Sequence, residues 1–376
     1  MLKLSWSTVA AWRMGRHYLV NRAPKGSMLE VASRLCGLHA QVLSCAELTA
    51  WARVDRFDRS EVQRALWHDR KLVKTWAMRG TLHLLPSDEL PLWHAALGTS
   101  KRWLKPAAWQ KYFGITMEEL DRITEAIGTA LDGRLVTREE LAAEVGRITG
   151  AAAFGTKLAE SSWGTLLRPA AFSGRLCFGP SVGQKVRFTR PDSWLRMAPC
   201  QVDPAAATAA ITRRFLAAHG PASFHDLARW WNGGGISTAR QWIADLGDEV
   251  TPVEIEGAPA WVLSKDAREL RDTPRVRAVR LLPGFDQYVV TASCHAANLL
   301  PGDLRARVFR PQGWISPVLL VNGRLQGVWR HEIKGSRVEV VIEPFVKVPA
   351  WVRKAAEEEV ERLGAFLGSS PNLVWQ

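Results

Sequence analysis

The sequence predicts an α+β protein, and three observations carry that prediction. A helix, a capping-box signal, further amphipathic helix and a short β-hairpin recur three times across the first three-quarters of the chain. From about Arg271 onward, alternating β-branched segments replace the helical periodicity. Apolar residues make up 47% and charged residues 23%, the balance of a globular chain and not of a disordered one. At 376 residues, two to four folding units are expected.

In the first copy, Asp58-Arg59-Ser60-Glu61 opens a helix ending near His68. Strand-like residues 71–76 and 81–85 come next, separated by Met78-Arg79-Gly80. In the second copy, Thr137-Arg138-Glu139-Glu140 opens a helix, residues 160–172 predict another, and residues 175–178 and 185–189 form a hairpin around Gly179 and Gly183. In the third, Ser223-Phe224-His225-Asp226 opens a helix through Trp231, residues 237–246 continue helical, and residues 250–255 and 260–263 close the unit around Gly257. At each box a short oxygen-bearing side chain answers an orphan amide at the helix start, and the acidic partner answers back. Glycine between β-branched runs marks a hairpin. Helix-turn-helix plus hairpin is the winged-helix plan, a DNA-binding arrangement.

The C-terminal quarter predicts a small antiparallel β-barrel. Residues 275–282, 318–321 and 324–329 alternate, the last two across Asn322-Gly323, a strong hairpin signal. Residues 332–337 form an exposed basic turn leading into residues 338–342. A Glu-rich helix over 349–367 closes the chain, with Glu357, Glu358, Glu359 and Glu361 on a solvated face. Leu282-Pro283-Gly284-Phe285 does not open a helix-hairpin-helix motif, because the residues before it alternate like a strand. The predicted domains are therefore a winged helix over 1–114, a second over 115–200, a third over 201–265, and the barrel with its closing helix over 266–376.

Several classes are excluded. No apolar run approaches the roughly 18 residues of a membrane span. Arg13, Arg16, His17 and Arg22 interrupt the only candidate signal-peptide core, so a cytoplasmic protein is expected. Cys36, Cys45, Cys177, Cys200 and Cys294 are odd in number and form no C-x-x-C, which fits neither a disulfide framework nor a thiolate zinc site. There is no phosphate-cradling glycine loop, no Gly-x-Ser-x-Gly and no His-Glu-x-x-His; neither metal nor cofactor is expected.

Charge points to a polyanion. The chain carries 50 Lys+Arg against 37 Asp+Glu, a net of +13. Residues 1–114 hold a net +10 and residues 263–349 a net +6, whereas residues 115–262 hold −2. Two separated basic regions suit a ligand gripped at both, although surface charge kept for solubility would also produce an excess.

Leu35-Cys36-Gly37-Leu38-His39-Ala40-Gln41-Val42 is the candidate reactive segment. Gly37 is costly inside a helix, so the helix from Met28 is expected to end or distort there. On a regular helix His39 and Gln41 would point apart; at a helix end they converge and both can hold a water. A capping histidine and a glutamine answering loop amides would explain the same residues.

Leu38-His39-Ala40-Gln41, the run from Lys74 to Leu84, Leu281-Leu282-Pro283-Gly284-Phe285-Asp286, Gly220-Pro221-Ala222 with Ala228-Arg229-Trp230-Trp231, and Pro311-Gln312-Gly313-Trp314 with Val321-Asn322-Gly323-Arg324 resemble the AlkZ/YcaQ family of bacterial DNA glycosylases. The matches run in order over nearly the whole chain. The resemblance implies three tandem winged helices with a β-barrel, and removal of N7-alkylated purines, in some members including interstrand crosslinks made by genotoxic natural products. It also implies a Gln-x-Asp or Gln-x-Gln catalytic motif. Here the two places hold His39 and Gln41, a His-x-Gln variant of the AlkZ-like branch.

That chemistry suits a sparse site. Alkylation at N7 makes the purine a cationic leaving group that needs no protein acid. Neutral His39 can take a proton from the attacking water near neutral pH. Gln41 can orient that water and stabilise positive charge on the sugar. An imine-forming lysine, with Lys71 or Lys74 reaching the site, is the competing mechanism; hydrolysis without strand cleavage is preferred. Contacts to double-stranded DNA are expected from Thr75, Arg79, Thr81 and His83 around the first wing, and from Lys334 and Arg337 on a barrel hairpin. A monomer without membrane association, located with the nucleoid, is expected. The alternative is a non-enzymatic winged-helix protein, a regulator or an adduct-binding protein.

Overall fold

Capping chemistry sets many of the helix starts in the computed structural model, which describes residues 1–99, 106–197, 200–291, 297–300 and 302–376. Cys294 lies outside the described residues. The Thr137 hydroxyl accepts from the Glu140 amide at 3.3 Å while the Glu140 carboxylate accepts from the Thr137 amide at 2.7 Å. Thr116 and Glu119 repeat the exchange ahead of the helix Met117–Ala130, where no box was expected. Ser60 N donates to Asp58 at 2.8 Å and Asp58 N to Glu61 at 3.1 Å, and the Asp226 amide donates to the Ser223 hydroxyl at 3.2 Å. Each such cap contributes on the order of 1 kcal/mol. Mixed α+β architecture results, divided into two compact units.

Unit one comprises Met1–Gln63, Thr212–Leu227 and Ile243–Gln376. Val250–Ile255 and Ala258–Leu263 form the expected hairpin, and Leu2–Leu4 adds a parallel strand, Leu2 opposite Val253 and Leu4 opposite Ile255. Leu4, Val9 and Trp12 then share one core with Val253, Ile255, Val262 and Leu270. In the larger sheet Val279–Leu282, Val318–Val321, Arg324–Lys334 and Arg337–Pro344 are consecutive antiparallel neighbours. Asn322 and Gly323, with φ of 52° and 82°, make the tight turn their sequence predicts.

The sheet departs from a closed antiparallel barrel. Its fifth strand, Ser370–Trp375, lies parallel to Arg337–Pro344, and the order leaves Val279–Leu282 and Ser370–Trp375 as the two ends; no closed barrel occurs among the described residues. The helix Ala350–Leu367 acts as the crossover that a parallel return requires. Its acidic face is not wholly solvated either. Glu359 is 4% exposed and faces Arg22, Arg280 and Arg362.

Unit two comprises Arg64–Ile211 and Ala228–Trp242. Leu72–Trp76 pairs with Leu82–Pro86, setting Thr75 opposite His83. Cys177–Val182 pairs with Lys185–Thr189, and Val136–Thr137 extends that sheet. The single helix expected over 160–172 is instead broken: Ala152–Glu160 ends, a tighter turn spans Ser162–Leu167, and Arg168–Phe172 resumes. Gly164 explains the break, with φ at +65° and the Trp76 ring 2.5 Å from where a Cβ would stand. No described helix is long and apolar enough to cross a membrane.

Candidate active site

The helix Met28–Arg34 stops where expected, but the residues after its reversal form strand and not frayed helix. Cys36 at φ +60° and Gly37 at φ +94° reverse the chain, and the Gly37 amide donates back to Ala32 O at 2.7 Å. Leu38–His39 is then extended, and the helix Leu43–Arg53 begins after Val42. The strand ends at His39 and Gln41 falls in the bend before the next helix, so the two residues are not held at helical spacing. Leu38 and Ala40 are fully buried, His39 is 5% exposed and Gln41 is half-buried.

A distant turn in the same unit seats this strand. The ring of Phe285, itself at φ +60°, stacks on His39 with centroids 5.0 Å apart and planes 6° from parallel. Gln287 Nε2 donates to the Gly37 carbonyl, holding the residue that launches the strand. Between them, Asp286 takes two hydrogen bonds from Arg53, the last residue of the helix Leu43–Arg53, at 2.6 and 2.7 Å. Arg53 also donates to Thr49 O at 3.0 Å, and Asp286 accepts from the Tyr288 amide at 2.9 Å. With its charge partner and these further bonds, the buried pair escapes the desolvation penalty of a lone ion.

Phe285 also walls an apolar cleft of about 540 Å³ with Gly284, Cys45, Pro311, Trp314 and Pro317. Phe285 and Trp314 have centroids 5.3 Å apart. Burial, and then Asp286, pushes the Cys45 thiol up to about 11, so it is a protonated wall residue and not a thiolate nucleophile. Among the described residues no group of three or more His, Cys, Asp or Glu is placed to hold a metal ion.

The other site residues expected from sequence fall into two groups. Thr75 is 1% exposed and His83 fully buried, inside the first hairpin. Arg79, at φ +60°, donates to Trp230 O at 3.1 Å and lies 3.4 Å from His83 Nε2; burial pushes its guanidinium down to about 10, still cationic at neutral pH. Because arginine only donates, His83 Nε2 accepts and its Nδ1–H is the donor toward Thr81 O at 3.0 Å. Thr81 Oγ1 donates to Met78 O at 3.1 Å. Lys334 and Arg337, by contrast, are exposed and face each other across a two-residue tip, with Lys334 3.1 Å from Glu332 and 3.5 Å from Glu339. Lys74 sits with its ammonium 5.2 Å from the Phe178 ring, and burial lowers its pKa.

Sequence reasoning does not single out Arg53, Gln287 or Trp314. In Leu282-Pro283-Gly284-Phe285-Asp286, a charged Asp after an apolar run is itself a sign of a buried partner. Nothing local marks Arg53 as that partner.

Comparison with known proteins bears on the whole chain. The family described as DNA glycosylase AlkZ-like matches residues 32–366. An interstrand DNA cross-link repair glycosylase of Streptomyces sahachiroi is 38% identical over 376 residues, 98% of each chain. The solved structure of Streptomyces sahachiroi DNA glycosylase AlkZ superposes with a TM-score of 0.89 at 37% identity, covering 99% of this chain and all of that one.

Proposed function

The chain belongs to the AlkZ-like family of DNA glycosylases, and on that premise we propose that it hydrolyses the N-glycosidic bond of N7-alkylated purines, bulky adducts and interstrand crosslinks included, in genotoxin self-resistance or DNA repair. The observation that carries the reading is His39 stacked under Phe285 beside an open cleft, with Gln41 two residues further along. The cross-link repair activity in the name of the Streptomyces sahachiroi relative supports extending the substrate to crosslinks. No observation favours a non-catalytic binder.

In the proposed reaction the C1′–N9 bond breaks and its electrons neutralise the cationic purine, which leaves. Water adds to C1′ as its proton passes to the His39 imidazole. The Gln41 amide orients the water and its carbonyl dipole faces the positive sugar. Positioning of the water supplies much of the rate enhancement, because the alkylated base is already activated. Stacking on Phe285 restricts the His39 ring before substrate arrives.

Duplex DNA is gripped by Lys334 and Arg337 at the hairpin tip. Thr75, Arg79, Thr81 and His83 shape the first hairpin, which presents its backbone and any accessible part of Arg79 to phosphate. The three helix-plus-hairpin stretches act as winged helices over 1–114, 115–200 and 201–265, with the sheet and closing helix over 266–376. The enzyme acts as a monomer on nucleoid DNA.

Single-turnover excision from an N7-methylguanine duplex tests the reading. His39→Ala and Gln41→Ala should each lower the rate by about 10²–10⁴-fold with duplex affinity within a few-fold. Unchanged excision by both variants would remove the assignment, and borohydride trapping of a protein–DNA adduct would replace hydrolysis with an imine mechanism.

A further inference from the structure

Trp314 is 49% exposed, so the fold gains little from burying it. It is nevertheless held firmly. Phe309 and Ile315 bridge antiparallel, Arg310 N donates to Trp314 O at 2.8 Å, and Ser316 N donates to Val308 O at 2.9 Å. The intervening turn places Gln312 at φ +59°, a conformation uncommon for a residue other than glycine. A large aromatic fixed in solvent on a closed loop is pre-organised to contact something outside the chain.

Its surroundings narrow what that is. Trp314 faces an apolar cleft, and the shared wall, Phe285, is the ring that stacks on His39. Phe285 is thus common to the cleft and to the stack on His39, while His39 itself does not line the cleft. Arg310, which also lines the cleft, suits a phosphate of the duplex, whereas Phe285, Trp314, Pro311 and Pro317 offer a flat apolar group both stacking and desolvation. About 540 Å³ exceeds what an N7-methyl group needs and accommodates a fused-ring substituent.

We propose that the cleft walled by Phe285, Trp314, Pro311 and Pro317 is a specificity subsite receiving the planar, aromatic substituent carried on N7 of a bulky adduct, so that the enzyme discriminates lesions by what is attached to the purine as well as by the purine's charge. The subsite rests on the glycosidic reading above, since it is defined relative to His39. Pocket binding of the substituent lets the purine stay near the duplex, and tight enclosure of the base is then not required for selectivity.

Two duplexes of one sequence test it, bearing N7-methylguanine or N7-(pyrenylmethyl)guanine. Trp314→Ala should raise KM for the pyrenyl lesion at least tenfold and change excision of the methyl lesion less than twofold, while Trp314→Phe keeps most of the preference. Equal losses on both lesions would make Trp314 a general DNA contact, and no loss on either would leave it without a role; both outcomes overturn the subsite. Binding keeps the test independent of catalysis. In the His39→Ala background, with 2′-fluoro-arabino sugars that resist depurination, the pyrenyl duplex should bind at least tenfold more tightly than the methyl duplex, and Trp314→Ala should abolish the difference. If wild-type enzyme excises neither lesion yet this difference persists, the glycosidic reading fails and the subsite stands. If excision occurs without any difference, the subsite fails and the glycosidic reading stands.

Discussion

Arg53 closes on Asp286 through two hydrogen bonds, Nη1 to Oδ2 at 2.6 Å and Nη2 to Oδ1 at 2.7 Å, and neither side chain is exposed to solvent. The pair ties the end of the helix that succeeds the His39 segment to the turn that seats it. Removing one partner strands a buried charge, so Asp286→Ala should destabilise unit one by about 3–5 kcal/mol. Loss of excision should accompany it, because Phe285 and Gln287 flank Asp286. The double variant Arg53→Met/Asp286→Leu, with no stranded charge, should recover much of the stability. Urea unfolding of the three proteins checks this; an unchanged midpoint for Asp286→Ala would show that the pair holds nothing.

Gly37 occupies φ +94° immediately before the strand that carries His39, the proposed base. Gly37→Ala should therefore cost at least about 1 kcal/mol and lower single-turnover excision beyond what the stability loss explains. Gln287→Ala should act in the same direction more mildly, leaving the Gly37 carbonyl without that donor. Excision measured well below each variant's melting temperature separates the two effects.

Two imidazoles, one in each unit, are held neutral by their surroundings. Burial pushes His94 down to about 4. Burial, then His219, Arg53 and Arg13, push His17 well below the ordinary histidine range. Each group must be charged in the unfolded chain below about pH 6.5 while staying neutral in the fold. Stability is thus complete above that pH and falls as pH drops toward the folded values. For His94 the loss is on the order of 2 kcal/mol by pH 4, discounted for its partial exposure. Melting temperatures between pH 7.5 and 4.5 should decline, and His94→Gln should flatten part of the decline; an unaltered slope would count against the assignment.

Salt dependence tests the hairpin tip. Arg337→Ala should weaken duplex binding about equally across sequences and reduce the salt slope by roughly 1. Lys334→Ala should do less, because Glu332 and Glu339 already neutralise much of that ammonium. Arg79→Ala should lower thermal stability more than affinity, since its guanidinium is committed to Trp230 O. Anisotropy titrations at several ionic strengths, with a melting curve for each variant, read both quantities.

The features legible in the sequence are local ones. Thr137 and Glu140 are three residues apart, and Asn322-Gly323 specifies its own turn, so both can be read directly. The strands Leu2–Leu4 and Ser370–Trp375 cannot, because each is short and pairs in parallel with a segment whose position only the folded chain defines. The solvated face expected for Glu359 fails for a different reason. Glu359 shares the buried stripe of Val352, Ala356, Val360 and Leu363, and helical spacing alone puts it inside. The candidate segment itself is recognisable around Gly37, but Phe285 and Gln287, which contact His39 and Gly37, are announced by no nearby residue.

Gln287 reaches back across 250 residues to hold Gly37. A nascent chain therefore carries its proposed reactive pair long before it carries anything able to aim that pair. On the proposed reading, a fragment that ends before Phe285 should release no base, because it lacks the residues that hold Gly37 and stack on His39.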